Sequence, residues 1–201
     1  PYAFKSMYDD HTYGASADFE QPWSDSQITR IAVHAKQDIH REQSSAIAPW
    51  ATFKDRTFSA GVEHEWRPDA RWTLTPGVSW NEQQGQRAEN LLANNRIVPF
   101  AVHSDTAING QIAATLQMIE DVQLYGGISR KTRFPTIKDR YSYRLGTAIP
   151  NPALKREESD NVEIGVKGAA GALHYQAALF NSKLQDAIQA GRFREDLYYR
   201  L

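Results

Sequence analysis

The chain has 201 residues, with 23 Lys and Arg against 24 Asp and Glu, a formal net charge of -1 and no cysteine. Disulfide scaffolds, thiolate zinc sites and cysteine nucleophiles are therefore excluded, and the balanced charge argues against nucleic-acid binding, which needs a basic excess to replace counterions. Mean hydropathy is -0.60 and no apolar run approaches the roughly 18 residues of a transmembrane helix, yet a membrane β-barrel alternates apolar and polar residues and leaves no hydropathy peak.

The chain opens Pro1-Tyr2-Ala3-Phe4, with no initiator Met and no basic segment leading into an apolar one. These residues already read as β-type sequence, and the chain reads as a piece of something longer. The dominant period is two, the signature of strands. Tyr13, Ala15, Ala17 and Phe19 alternate with Gly14, Ser16, Asp18 and Glu20, and turn residues follow at 22–26. Ile31, Val33 and Ala35 share one face of a second strand. Phe58, Ala60, Val62 and Trp66 share one face of a third, where His64 interrupts the apolar series.

After a turn at 67–70, Trp72, Leu74, Val78 and Trp80 alternate with polar residues. Pro76 lies inside that strand and cannot donate to a ladder, so a bulge or an unpaired position is expected there. Ile108, Ile112, Ala114, Leu116 and Met118 mark a further strand. Val122, Leu124, Gly126 and Ile128 follow after a tight connection at 120–121, then Val162, Ile164 and Val166, and a last strand over roughly 173–188. About nine strands fit into residues 1–188. The connections alternate between short (22–26, 67–70, 120–121, 168–171) and long (41–55, 82–104, 133–157). Short turns at one end and long loops at the other are the pattern of an outer-membrane barrel. Trp66, Trp72 and Trp80 are placed at strand ends, either as an aromatic girdle at the membrane interface or as ordinary sandwich core.

Residues 129–138 read Ser-Arg-Lys-Thr-Arg-Phe-Pro-Thr-Ile-Lys. Residues 149–157 read Ile-Pro-Asn-Pro-Ala-Leu-Lys-Arg-Glu, and Glu163-Ile164-Gly165 lies in the strand that follows. In order and spacing this resembles the C-terminal barrel portion of a TonB-dependent outer-membrane receptor, and 177–188 resembles the next hairpin strand. Pro135, Pro150 and Pro152 suit an ordered loop, and Asn151 before Pro152 is biased toward an extended backbone. Gly127 and Gly165 leave room on the lumen side for a plug segment, or serve barrel curvature.

The resemblance implies an all-β, antiparallel up-and-down transmembrane barrel, incomplete at 1–189 and without a plug domain. It implies TonB-energised uptake of a scarce nutrient, a ferric siderophore or another bulky ligand. The implied location is the outer membrane, with its lipid and lipopolysaccharide as partners. The TonB complex is reached only through the missing plug domain. A terminal strand ending in an aromatic residue is also missing. Arg130, Lys131 and Arg133, with Tyr141, Tyr143 and Arg144, are the candidate ligand or loop contacts; the basic cluster is read either as an anion site or as a solvated rim touching lipopolysaccharide.

A second resemblance covers the tail. Residues 191–201, Gly-Arg-Phe-Arg-Glu-Asp-Leu-Tyr-Tyr-Arg-Leu, are similar to a segment of sigma-54-dependent AAA-type activators, in which Arg194 and Arg200 match arginines associated with a neighbour's nucleotide. The segment 190–201 is read as an unrelated tail, helical or disordered. The chain has no Gly-x-x-x-x-Gly-Lys-Ser/Thr loop to hold a triphosphate. It also has no Gly-x-Ser-x-Gly elbow, and its six histidines form no helical metal spacing. No enzyme activity, metal or cofactor is expected. A soluble β-rich binding module, or a remnant of an activator ATPase, are the alternative readings.

Overall fold

A computed structural model describes residues 6–142 and 149–188. Ten strands and one short helix follow in the order β1 (Met7–Ser24), β2 (Gln27–Gln43), β3 (Ala51–Trp66), β4 (Trp72–Arg87), β5 (Glu89–Leu91), β6 (Ile97–Pro99), β7 (Ser104–Ile119), β8 (Val122–Arg133), α1 (Ile137–Tyr141), β9 (Glu157–Ala170) and β10 (Leu173–Gln185). Eight of the strands form one antiparallel sheet in the order β1-β2-β3-β4-β7-β8-β9-β10, and β5 and β6 pair separately within a loop. The sheet is an up-and-down meander and is not closed. β1 and β10 are its edges, and each has one side without a ladder partner among the described residues.

The register shows why this sequence makes a wall. Ala35 of β2 lies opposite Ala15 of β1 and Phe58 of β3, and Ile31 lies opposite Phe19 and Val62. Val62 then meets Val78, while Ile112 lies between Pro76 and Ile128, and Ile164 between Gly126 and Leu179. Because side chains alternate across a strand, these pairings fuse eight apolar stripes into one continuous face. The opposite face carries Glu20, Arg30, Glu63, Ser79, Gln111, Ser129 and Asn161 in equivalent positions. Large side chains on the apolar face stay exposed: Ile112 is 54 % exposed and Leu179 78 %. A contiguous face of this kind is stable against lipid rather than water, so it is the outer face of a membrane-spanning wall and the polar face is the inner one.

The turns and loops segregate as expected. Residues 25–26, 67–71, 120–121 and 171–172 close one end, and 44–50, 88–103 and the described residues 134–142 and 149–156 stand at the other. Gly171 takes φ +61° in the β9–β10 turn, a conformation glycine adopts without a Cβ clash. The β3–β4 ladder runs to Glu63↔Gly77, skips Thr75 and Pro76, and resumes at Trp66↔Leu74, which is the unpaired position the proline demands. His64 interrupts the apolar face near the turn end. There the Trp23 indole N–H donates to Thr29 Oγ1 at 2.9 Å, and Thr29 Oγ1 lies 2.9 Å from His64 Nδ1. With Trp66 and Trp72 beside them these groups form a mixed aromatic and polar band, as at a membrane interface.

Two expectations are corrected. Trp80 is not at a strand end, because β4 continues to Arg87. It marks the upper edge of the apolar rows, where its ring lies 5.6 Å from that of Phe58. The wall strands run 12 to 18 residues, whereas spanning needs about 9–11, so they project past the bilayer at the loop end. Nor do the two glycines hold open space. A Cβ on Gly165 would lie 2.5 Å from the Tyr125 ring, and one on Gly127 would lie 3.0 Å from the Ile112 carbonyl oxygen. Tyr125 covers Gly165 and accepts a hydrogen bond from Gln176 Nε2 at 2.7 Å. Gly165→Ala is expected to displace that ring and destabilise the wall by about 1–3 kcal/mol, read as a lower urea midpoint in micelles; an unchanged midpoint would show that the ring swings away freely.

Candidate functional site

Buried packing concentrates at the loop end, on the inner face. Ala51, Phe53, Ala88 and Tyr141 form the buried apolar cluster, with Ile97, Phe100 and Ile137 packed on it. The motif after β8 builds the lid of this cluster. Pro135 is fully buried and its carbonyl accepts from Gln83 Nε2 at 3.1 Å. Thr136 caps α1: its Oγ1 accepts from the Asp139 N–H at 3.2 Å, and the Asp139 carboxylate accepts from the Thr136 N–H at 2.9 Å. This reciprocal capping box holds a helix of only five residues that would not persist alone.

The second half of the motif closes on the first. The Asn151 N–H donates to the Arg140 carbonyl at 2.7 Å, and Asn151 Oδ1 accepts from the Ala153 N–H at 3.1 Å, so the Asn-Pro pair turns the chain and ties it to the helix end. Arg133 donates to Glu157 at 3.2 Å and to Asp139 at 3.0 Å, joining the end of β8, α1 and the start of β9. Arg156 reaches Asp105 of β7 at 2.6 Å.

Beneath this lid lies a buried charge pair. Arg140 is 0 % and Asp55 2 % exposed, with Arg140 Nη1 3.8 Å from Asp55 Oδ2. Neither side chain has a hydrogen-bond partner among the described residues, and Gln83 Oε1 shares that condition. Burial pushes the Asp55 carboxyl up to about 6; Arg140 opposes the rise, Asp38 adds to it and Lys36 opposes it. A carboxyl whose folded pKa lies above its unfolded value of about 3.9 favours the folded state more as pH falls between those values. Lowering pH from about 7 to about 5 is expected to stabilise the wild-type hub by about 1 kcal/mol through this group. Urea midpoints of wild type and Asp55→Asn across that range check it, since the variant should lose the Asp55 share of the slope.

On the inner face below, Arg30 donates to Glu20 at 2.7 Å and to Glu65 at 3.1 Å, and Gln111 donates to Glu63 at 2.9 Å. Glu20, Arg30, Glu63, Gln111 and Lys131 line a groove of about 620 Å³.

Sequence neighbours in the predicted site do not converge. Arg130 lies opposite Asp160 in the row above Ile128↔Val162, so it sits on the outer face, where it donates to that carboxylate at 2.7 Å and 3.0 Å. Lys131 takes the inner groove. Arg133 is the clip just described. Tyr141 is buried, its ring 5.5 Å from Phe53 and 5.4 Å from Phe100, and its hydroxyl donates to the Ala101 carbonyl at 3.2 Å. Tyr143 and Arg144 lie outside the described residues. Strand alternation divides what the linear sequence groups. Sequence reasoning missed Asp55, Gln83 and Arg140; the Thr136-x-x-Asp139 capping pattern was a readable signal for the helix that positions Arg140.

A one-sheet antiparallel meander with an apolar outer face, a polar inner face and loops gathered at one end defines a segment of a membrane β-barrel wall. The TonB dependent receptor-like, beta-barrel family model matches residues 2–199, and the chain belongs to that family. Solved structures of similar fold include the copper transporter OprC (17% identity, TM-score 0.77, covering 90% of this chain and 31% of that one). The FrpB iron transporter from Neisseria meningitidis, F3-3 variant, follows (14%, 0.70, 90% and 29%), with the ferric yersiniabactin uptake receptor FyuA from Yersinia pestis (14%, 0.66, 90% and 30%). The chain thus spans about a third or less of the length of these proteins. No curated protein sequence matches it. The family match runs to residue 199, through most of the segment that resembles activator ATPases. That second resemblance gains no support, and the segment lies outside the described residues.

Proposed function

We propose that this chain is part of the wall and external loops of an outer-membrane receptor for TonB-energised uptake of a scarce nutrient, of the ferric-siderophore or similarly bulky class. The observation that carries the reading is the continuous apolar outer face opposed to a polar inner face, within a family match covering nearly the whole chain. The polar inner face, with its Glu20–Arg30–Glu65 ion pairs and Lys131, provides a hydrated surface along which a plug segment or ligand can lie. The ties of Arg133, Pro135 and Asn151 fasten the described parts of the β8–β9 connection at the loop end. Coupling to the TonB complex is assigned to a plug domain outside these strands. Iron, copper and yersiniabactin in the names of the fold relatives support the nutrient class without choosing among its members.

The test is assembly first, then ligand. The chain fused to a signal peptide is expected to reach the outer membrane as a heat-modifiable, protease-resistant species. A freely soluble, detergent-independent monomer with cooperative unfolding would replace this reading with the binding-module alternative. Ferric siderophores, Cu²⁺ and haem are then titrated against the assembled chain, with tryptophan fluorescence as the readout. Saturable quenching by one class assigns the ligand, and its absence for all three would remove the uptake assignment from these residues.

A further inference from the structure

At the loop end of the inner face a cavity of about 330 Å³ opens between β1, β2 and α1, lined by Tyr8, Asp10, His40, Glu42, Lys138 and Tyr141. The register sets Asp10 opposite His40, and His40 opposite Phe53, so three strands bring these side chains to one level past the apolar rows. Rings dominate that level. Tyr8 stacks on His40 at 5.8 Å, His40 lies 5.8 Å from Phe53, Phe53 5.5 Å from Tyr141, and Tyr141 5.4 Å from Phe100. His40, Phe53 and Tyr141 each have a neighbouring ring on both sides, so what they offer a ligand is an edge. Aromatic edges are electropositive and aromatic faces electronegative, so a row of edges attracts the face of another ring.

Both signs of charge border the cavity, carboxylates on the strands and an ammonium on the helix. Asp10 is hydrogen-bonded to His40 Nδ1 and Glu42 lies 3.6 Å from Nε2, yet both carboxylates stay about half exposed. The Lys138 side chain makes no ion pair or hydrogen bond among the described residues. An anion alone would meet the two carboxylates, and a cation alone would meet the ammonium. A short ligand carrying both charges finds an opposite partner for each. The volume is at the small end of ligand pockets, which run about 300–1,000 Å³, and suits a group of amino-acid size. We propose that this cavity binds a zwitterion of amino-acid type with an aromatic body. Its ammonium lies between Asp10 and Glu42, its carboxylate on Lys138, and its ring face against the edges of His40, Phe53 and Tyr141. The proposal rests on the receptor reading above and names one ligand group for it. Arg130, Lys131 and Arg133 take no part, being on the outer face, in the inner groove and in the clip to Glu157.

The experiment uses the full chain refolded in detergent micelles, with heat-modifiable mobility scored in parallel and calorimetry as the binding readout. The probes are phenylalanine, phenethylamine (no carboxylate), phenylpropanoate (no ammonium) and cyclohexylalanine (both charges, no π face). Saturable binding of phenylalanine is expected, about 10-fold tighter than either one-charge analogue, or about 1.4 kcal/mol per charge. It should be about threefold tighter than cyclohexylalanine. Lys138→Gln should weaken phenylalanine about 10-fold and leave phenethylamine unchanged. Glu42→Gln should weaken phenylalanine and phenethylamine and spare phenylpropanoate. This charge-matched pattern separates direct contact from a disturbed fold, which would weaken every probe together. Lys54→Gln, on the opposite face of β3, should change none of them. No binding of phenylalanine at millimolar concentration would overturn the proposal while leaving the wall intact. So would equal binding by a one-charge analogue or by cyclohexylalanine, or a Lys138→Gln loss shared by all probes. A chain that never becomes heat-modifiable would overturn the membrane reading and the cavity's place in it.

Discussion

Replacing Arg140 with alanine is expected to destabilise the loop end by about 3–5 kcal/mol. The guanidinium is wholly buried and its neighbour Asp55 nearly so. At 3.8 Å they attract, but neither has a hydrogen-bond partner among the described residues to offset its lost hydration. Removing one member leaves the other charge buried without compensation, and alanine also leaves a cavity where the buried side chain lay. The converse substitution of both members, Arg140→Met with Asp55→Leu, removes both desolvation penalties at similar volume. It is therefore expected to restore stability to within about 1 kcal/mol of wild type or above it. Urea unfolding of the micelle-embedded chain measures both. A single variant that costs less than about 1 kcal/mol would show the pair to be solvated, and a double variant as damaged as the single would show that packing rather than charge holds the hub.

The spanning part of this wall is legible in the sequence for a physical reason. Where lipid meets one face and water the other, alternation is enforced residue by residue. Ile31, Val33, Phe58, Val62, Ile112 and Ile164 announce their face with no knowledge of their partners. Even the irregularity at Pro76 follows from its missing N–H. Past the bilayer the constraint disappears. Arg41, Glu42 and Gln43, like Lys54, Asp55 and Arg56, are polar on both faces, so the sequence there reads as loop while the ladder continues. That is why Asp55 falls in a predicted connection and in fact lies in β3. Its pairing with Arg140 is invisible for a further reason: it depends on α1, which follows β8, packing back against β3, and no local pattern encodes that path. The motif that carries the family resemblance proves to be the clasp of this loop, since Arg133, Pro135, Asn151 and Glu157 each make one of its ties.

A charge placed on the apolar face tests the whole architecture. Ile112 sits near the centre of the outer face, between Pro76 and Ile128, and its immediate neighbour Gln111 points to the inner face, where it donates to Glu63 at 2.9 Å. Ile112→Arg is expected to cost about 2–4 kcal/mol in lipid vesicles, the penalty for a cation near the bilayer midplane. Gln111→Arg one residue away should change stability by no more than about 0.5 kcal/mol, because its guanidinium stays hydrated and meets a carboxylate. Reversible urea folding into vesicles separates the two. In a soluble sheet the order would invert or vanish, since a solvent-exposed isoleucine can be charged at little cost while Gln111 would lie against a second layer. A one-residue shift in position thus carries a difference in cost that only a lipid-facing wall produces, and equal costs for the two variants would remove the membrane from the account.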